Sequence, residues 1–288
     1  MKNSILIIAL ALIQLSCLAQ WKSASPLTSE LQDIQFIDQY NGFAVAQSGS
    51  IGSCQHTQNF FKTIDGGKNW IRMRTGSTNQ PRALHFIDNK TGWLASSSSE
   101  ILKTTNGGMS WTQQTYGVGS GYNDIWFNGQ TGFVLGDNGM LRRSTNGGNS
   151  WQTITSGTSS SLRKIRFSSP SVGVISVSGG DVLYTDDGGN SWDDVDFGAS
   201  AINDFSFVSE LVGYAIGYIN GEGALFKTTS GGSSWTSQVI GDIIPLRTFF
   251  LDENYGFVVS DGEGIYKTID GGQTWTVATT LNGNIDNW

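Results

Sequence analysis

Cysteine and proline are scarce: two and four residues in a chain of 288. Loss of an N-terminal segment carrying Cys17 leaves Cys54 alone, so a disulfide framework is excluded and stability must come from a packed core. There are two histidines, His56 and His85, from which no Ser-His-Asp set can be built. Cys54 and His56 could offer two metal ligands, but no second pair accompanies them, so no metal or other cofactor is expected. Basic residues number 17 against 24 acidic ones, a net charge of −7, which argues against a nucleic-acid partner. Helical periodicity is absent. The Gly-Gly doublets therefore read as turns and not as phosphate cradles, which need a following helix.

One apolar stretch stands out, at the N-terminus. Lys2 gives a positive start, Ile5 to Ile13 is an apolar core, and Cys17-Leu18-Ala19 places small residues before a cleavage point. Residues 1–19 read as a secretory signal cleaved after Ala19, with no transmembrane anchor, since the core is too short and nothing later approaches membrane length. Lipidation of Cys17 is the alternative, but Gln14 stands where a lipoprotein signal wants leucine. Without Lys2 the mature chain has 16 basic and 24 acidic residues, a net of −8.

What the chain has in abundance is a repeated phrase: a short apolar run, Thr or Ser, two residues, Gly-Gly, two residues, Trp. Its copies end at Trp70, Trp111, Trp151, Trp192, Trp235 and Trp275, in steps of 41, 40, 41, 43 and 40 residues. A second phrase precedes each: Phe, a polar turn, then Gly42, Gly92, Gly132, Gly173, Gly213 or Gly256 and an apolar run. Four strands fit each unit, here called A to D in chain order. In the fourth unit, Leu162 to Phe167 alternates, Val174 to Val177 is a β-branched run, Val182 to Thr185 follows, and Trp192 opens the last strand. A fixed period near forty with four strands per unit predicts an all-β, six-bladed β-propeller of four-stranded antiparallel blades, spanning 20–288 as one domain.

Trp21 lies 15 residues before Phe36, and the five later Trp-to-Phe gaps are 16, 16, 16, 15 and 15. Trp21 is therefore expected to open an extra D-like strand that closes the ring on the sixth blade. Ile285 to Trp288 leaves a degenerate seventh blade as the alternative.

The phrase resembles the Asp-box of sialidase-type BNR repeats. Asp65, Asp187 and Asp270 keep the acid, Asn106 and Asn146 carry an amide, and Ser230 a hydroxyl. Any of these oxygens can accept backbone N–H groups across a turn, so the motif reads as structural, with the Trp as a plug between strands. Together the Trp-first strand, the F-x-D-x-x-x-G-W/F phrase and the T-x-D-G-G-x-x-W phrase resemble the Ycf48-like propellers. These are photosystem II assembly and stability factors and their relatives in non-photosynthetic bacteria. The resemblance covers Trp21 to about Thr280 and implies a noncatalytic protein that binds a protein partner. An arginine patch is associated with partner binding in the photosynthetic members. Here Arg82, Arg163 and Arg247 stand at starts of A strands, while Asn123-Asp124 and Asn203-Asp204 take that place in intervening units.

A glycosidase is the other reading, with carbohydrate as the alternative partner. The sialidase F/Y-R-I-P signature is absent, and Ile244-Pro245-Leu246-Arg247 has the wrong order. Asp33, Asp124 and Asp204 recur at one A-strand position and would solvate the channel mouth or, in the enzyme reading, supply paired carboxylates. No catalytic residue is assigned. The D–A and B–C loops share one face. Blades one and five carry their extra length there, near Gln47 to Asn59 and Asn220 to Gly223. Long loops on a rigid scaffold are where binding concentrates. The expected partner-binding group is therefore Arg82, Arg163, Lys164 and Arg247 near Asp33, Asp124 and Asp204.

Overall fold

A computed structural model of the chain describes residues 31–46, 60–77, 79–114, 121–261 and 264–279. The expected signal, the Trp21 strand, the blade-one insert with Cys54 and His56, and the degenerate seventh blade lie outside them. The described residues form six four-stranded antiparallel sheets and no helix, a six-bladed β-propeller.

Blade one is β1 (Leu31–Phe36), β2 (Gly42–Ala46), β3 (Phe60–Thr63) and β4 (Ile71–Met73). Blade two is β5 (Pro81–Phe86), β6 (Gly92–Ser96), β7 (Ile101–Thr104) and β8 (Thr112–Gln113). Blade three is β9 (Tyr122–Asn128), β10 (Thr131–Gly136), β11 (Leu141–Ser144) and β12 (Gln152–Ile154). Blade four is β13 (Leu162–Phe167), β14 (Gly173–Val177), β15 (Val182–Thr185) and β16 (Asp193–Val195). Blade five is β17 (Ala201–Phe207), β18 (Gly213–Ile219), β19 (Glu222–Thr228) and β20 (Thr236–Val239). Blade six is β21 (Pro245–Phe250), β22 (Gly256–Ser260), β23 (Gly264–Thr268) and β24 (Thr276–Thr279). In each sheet the strands pair in chain order. By packing, the chain divides into two compact units: blades one and two with part of blade three, and the rest of blade three with blades four to six.

The repeated phrases have a packing reason. The second strand of each blade is the most buried, so its residues read as an unbroken apolar run with no alternation. The glycine that opens it lies under the Phe that ends the first strand. A Cβ on Gly92 would stand 2.4 Å from the Phe86 ring, and the other five glycines meet their own Phe at 2.2–2.7 Å. The same Phe receives the edge of its blade's box Trp, as in Phe36–Trp70 at 5.9 Å, Phe127–Trp151 at 5.7 Å and Phe167–Trp192 at 6.0 Å. The residue after the glycine then stacks on the next blade's Phe. Phe43 lies 3.6 Å from Phe86 and Trp93 3.6 Å from Phe127 in one unit, and Tyr214 lies 3.6 Å from Phe250 in the other. One Phe thus joins its own glycine, its own Trp and the previous blade's second strand.

Candidate functional site

The A strands of blades one, two, four, five and six carry a β-bulge at one position. The register shifts between Leu31 and Asp33, Pro81 and Ala83, Leu162 and Lys164, Ile202 and Asp204, and Pro245 and Arg247. A bulge re-aims the side chains around it. Arg82 and Arg163 are themselves the extra residues of their strands, and both are exposed. Asp33, Lys164, Asp204 and Arg247 follow the extra residue.

In the first unit Asp33 reaches across to blade two, where its Oδ2 accepts the N–H of Leu84 at 2.9 Å. Two residues on, the Gln35 amide accepts from Phe86 N at 2.7 Å and donates to Phe86 O at 3.0 Å. Arg82 donates to Asn123 Oδ1 at 2.8 Å. Asp124 is 1% exposed. In the second unit the same device recurs between blades five and six. Asp204 Oδ2 accepts from Thr248 N at 3.2 Å, and Ser206 Oγ from Phe250 N at 2.9 Å. The free edge of one A strand is thus capped by side chains of the A strand before it, which blunts an otherwise open ladder. Asp124 and Asp204, expected to solvate a channel mouth, are instead buried, and the Asp204 carboxylate lies beside the backbone of the next A strand.

The second unit also gathers positive charge. Arg163 donates from Nε to Ser178 Oγ at 2.8 Å. Lys164 is 8% exposed. Arg166 lies 3.8 Å from Asp204 and donates to Ile165 O at 2.7 Å. Arg247 donates to Leu246 O at 2.9 Å. The A strands of blades four to six thus carry Arg163, Lys164, Arg166 and Arg247 against a single carboxylate, that of Asp204, which Arg166 alone of the four is seen to approach. The sequence reading passed over Arg166, although its place two residues after Lys164 puts it on the same side of the strand. It also passed over Tyr218, whose hydroxyl pKa is raised by burial and then by the charge of Asp261, against a hydrogen bond with Asn203 that lowers it. Asn203 in turn donates to Pro245 O at 2.6 Å.

The Asp-box turns close on themselves. Thr63 Oγ1 accepts from Gly67 N at 2.9 Å and donates to Asp65 Oδ1 at 2.8 Å, and Asp65 Oδ1 accepts from Asn69 N at 2.9 Å. The amide copy at Asn106 accepts from Ser110 N at 2.9 Å, and the hydroxyl copy at Ser230 accepts from Ser234 N at 3.1 Å. Asn146 repeats the amide pattern with Ser150 N at 2.9 Å. Hydrogen bonds hold the three acids low. Asp65 falls to about 2 chiefly through Asn69 N–H, Asp187 to about 2 through the Ser191 hydroxyl, and Asp270 to about 2 through the Thr274 hydroxyl. Among the described residues no group of three His, Cys, Asp or Glu side chains is placed to hold a metal ion.

Known proteins repeat this architecture. A family model described as photosynthesis system II assembly factor YCF48 matches residues 68–159. The curated photosystem II assembly lipoprotein Ycf48 of Synechococcus sp. (strain CC9902) is 28% identical over 120 residues, 40% of this chain and 36% of the relative. The solved structure of YCF48 bound to D1 peptide superposes with a TM-score of 0.69 at 20% identity, covering 87% of this chain and 81% of that one. Over part of its length, then, the chain is similar to Ycf48 in sequence, and over most of it in fold. YCF48 from Cyanidioschyzon merolae superposes at 0.68 with 17% identity, over 89% and 88% of the two chains. The GH74 enzyme of Niastella koreensis superposes equally well, at 0.70 with 17% identity, over 86% of this chain and 48% of the enzyme. At these identities the superpositions establish the fold alone. The sequence match to Ycf48 spans about a third of the curated relative's length, and the family-model match runs from the last turn of blade one through blade three.

Proposed function

We propose that the chain is a noncatalytic, exported propeller that binds an extended segment of a protein client and assists assembly of an envelope or extracellular complex. The carrying observation is the basic group on the A strands of blades four to six, set on a fold whose Ycf48 likeness includes a protein solved with a bound peptide. Arg163 and Arg247 are the anchors in that unit, Lys164 and Arg166 raise the local positive potential, and Arg82 is the corresponding exposed cation on blade two. A client segment rich in carboxylates suits such a surface, through charge-assisted hydrogen bonds.

The carbohydrate reading has less support. Asp33 and Asp204 already accept backbone N–H groups from the next blade, and Asp204 also faces Arg166. A glycosidase needs both members of a carboxylate pair turned to the sugar.

Export rests on residues 1–19 and on the lipoprotein name of the Synechococcus relative. Among the described residues no helix is long and apolar enough to cross a membrane. Mass spectrometry of the exported protein should find an N-terminus at Gln20; a diacylated Cys17 would replace the signal reading by lipidation. Binding is tested with a client recovered by pull-down from envelope extract. Arg163→Glu with Arg247→Glu, and separately Arg82→Glu, should weaken the client complex at least tenfold with the thermal midpoint unchanged. Lys68→Glu on an Asp-box turn should leave it intact, and the opposite pattern overturns the face assignment.

A further inference from the structure

The junctions between consecutive blades of the second unit are built alike, with one difference. Past the last strand of blade four, Phe197 turns inward and is 7% exposed. It sits between Phe226 and Trp235 of blade five, with ring centroids 4.8 and 4.9 Å away. The strand register identifies the corresponding residue one blade on. Val195 pairs with Val182, which pairs with Ser176. Gln238 pairs with Leu225, which pairs with Ile216. Ser176 and Ile216 face Lys164 and Asp204, the equivalent post-bulge positions. Two residues past Val195 is Phe197; two residues past Gln238 is Ile240.

The walls correspond as well. Tyr266 stands where blade five has Phe226, and Trp275 where it has Trp235. An aromatic wedge fills the first junction. At the second the wedge is aliphatic, and a cleft of about 400 Å³ opens among Ile240, Ile243, Tyr266 and Trp275. Gln238, Gln273 and Asp242 form its rim, and all three are exposed. Its lining is mixed, with aliphatic and aromatic side chains beside polar ones, and the charged side chain among them is an acid.

We propose that this cleft is a second docking site, for an aromatic side chain carried on a short extended peptide with a neighbouring lysine or arginine. The filled junction indicates what fits: a phenyl ring against a Trp and a second aromatic wall. Asp242 at the rim selects a cationic neighbour. Desolvating a ring against Trp275 and Tyr266 supplies the attraction, and the carboxylate supplies orientation. The site is independent of the basic group on the A strands and takes peptides of opposite charge.

The test titrates the full chain with the acetylated, amidated pentapeptide Thr-Lys-Phe-Lys-Thr, followed by backbone amide NMR. The expected result is saturable shifts at residues 238–243 and 273–275. The same peptide with Ala for Phe should bind at least tenfold more weakly. Ile240→Phe supplies the missing wedge and should weaken binding at least tenfold with the thermal midpoint unchanged or higher. Asp242→Lys, on an exposed turn, should weaken binding severalfold at low salt and by less at 0.5 M salt. Arg163→Glu should leave the titration unchanged. Equal binding of the Phe and Ala peptides, insensitivity to Ile240→Phe and Asp242→Lys, shifts confined to other residues, or no saturable shift overturns the proposal. So does tighter occupancy of the same amides by a methyl pyranoside.

Discussion

The Asp33 carboxylate accepts the backbone N–H of Leu84, 51 residues away and one blade on, at 2.9 Å. Nothing in the A strand of blade two can make that bond, because its own ladder partner lies on the other side. Asp33→Ala should therefore strand a donor and destabilise the fold by about 1–3 kcal/mol. Asp33→Asn keeps an acceptor oxygen and should restore most of the loss. Urea denaturation measures both, and hydrogen exchange at Leu84 should quicken in the alanine variant alone. Equal stability of Asp33→Ala and the parent would remove this carboxylate from the account of how blades join.

The A–B glycines answer to a different constraint. A Cβ on Gly92 would lie 2.4 Å from Phe86, whose ring is stacked 3.6 Å from Phe43 and has no room to retreat. Gly92→Ala should cost about 1–3 kcal/mol through overpacking. A second change, Phe86→Leu, removes the ring that the methyl would strike. The two losses should then sum to less than additive, which a double-mutant cycle in denaturant would detect.

Most of the fold was legible because its two phrases are packing rules. Phe, Gly and Trp recur since one ring touches all of them, and a period near forty follows from four strands and their turns. The site was harder to read. Arg82, Arg163 and Arg247 could be placed at strand starts by counting, but bulges do not announce themselves in sequence. The bulge decides that Arg82 and Arg163 project outward while Lys164 is buried. Nor could alternation distinguish an Asp that solvates an entrance from one that caps a neighbour's N–H. Asp33 and Asp204 do the latter, and only pairing across 51 and 44 residues reveals it.

The box acids make a pH prediction. Asp65, Asp187 and Asp270 have folded pKa values of about 2, below their ordinary value of 3.8. A depressed folded pKa gives stability that is fully present above the unfolded value and lost as pH falls through the folded one. The loss should fall between about pH 4 and pH 2, and solvent screening keeps it small for such exposed groups. Asn106 already forms the same bonds, donating its amide to Ser110 Oγ at 2.8 Å where Asp187 accepts from the Ser191 hydroxyl at 2.7 Å. Asp187→Asn should thus be nearly silent at pH 7, and the triple Asn variant should show a flatter stability profile between pH 4 and 2. A steeper acid loss in the triple variant than in the parent would contradict the assignment. Thr185→Ala, which removes the acceptor for Gly189 N at 3.0 Å, should be the costlier change at every pH.

The box tryptophans separate packing from hydrogen bonding. Trp111 meets Phe60 at 5.1 Å and Phe86 at 6.1 Å, both edge to face, and its buried indole N–H has no hydrogen-bond partner among the described residues. Trp235 contacts Phe197, Phe205 and Phe207, and its N–H donates to Gly232 O at 2.9 Å. Truncation to Ala removes the plug in either case and should cost about 3–5 kcal/mol. Replacement by Phe keeps an aromatic plug and deletes the N–H. At position 111 that N–H makes no bond to lose, and burying it unpaired is itself unfavourable, so Trp111→Phe loses packing alone. At position 235 the same change also leaves the Gly232 carbonyl without its donor. Trp235→Phe should therefore be more destabilising than Trp111→Phe by about 0.5–1.5 kcal/mol, the net worth of one hydrogen bond. Matched urea curves with equal m-values decide it. If Trp111→Phe proves the costlier of the two, ring packing outweighs the bond, and the Trp235 indole's hydrogen bond is incidental to stability.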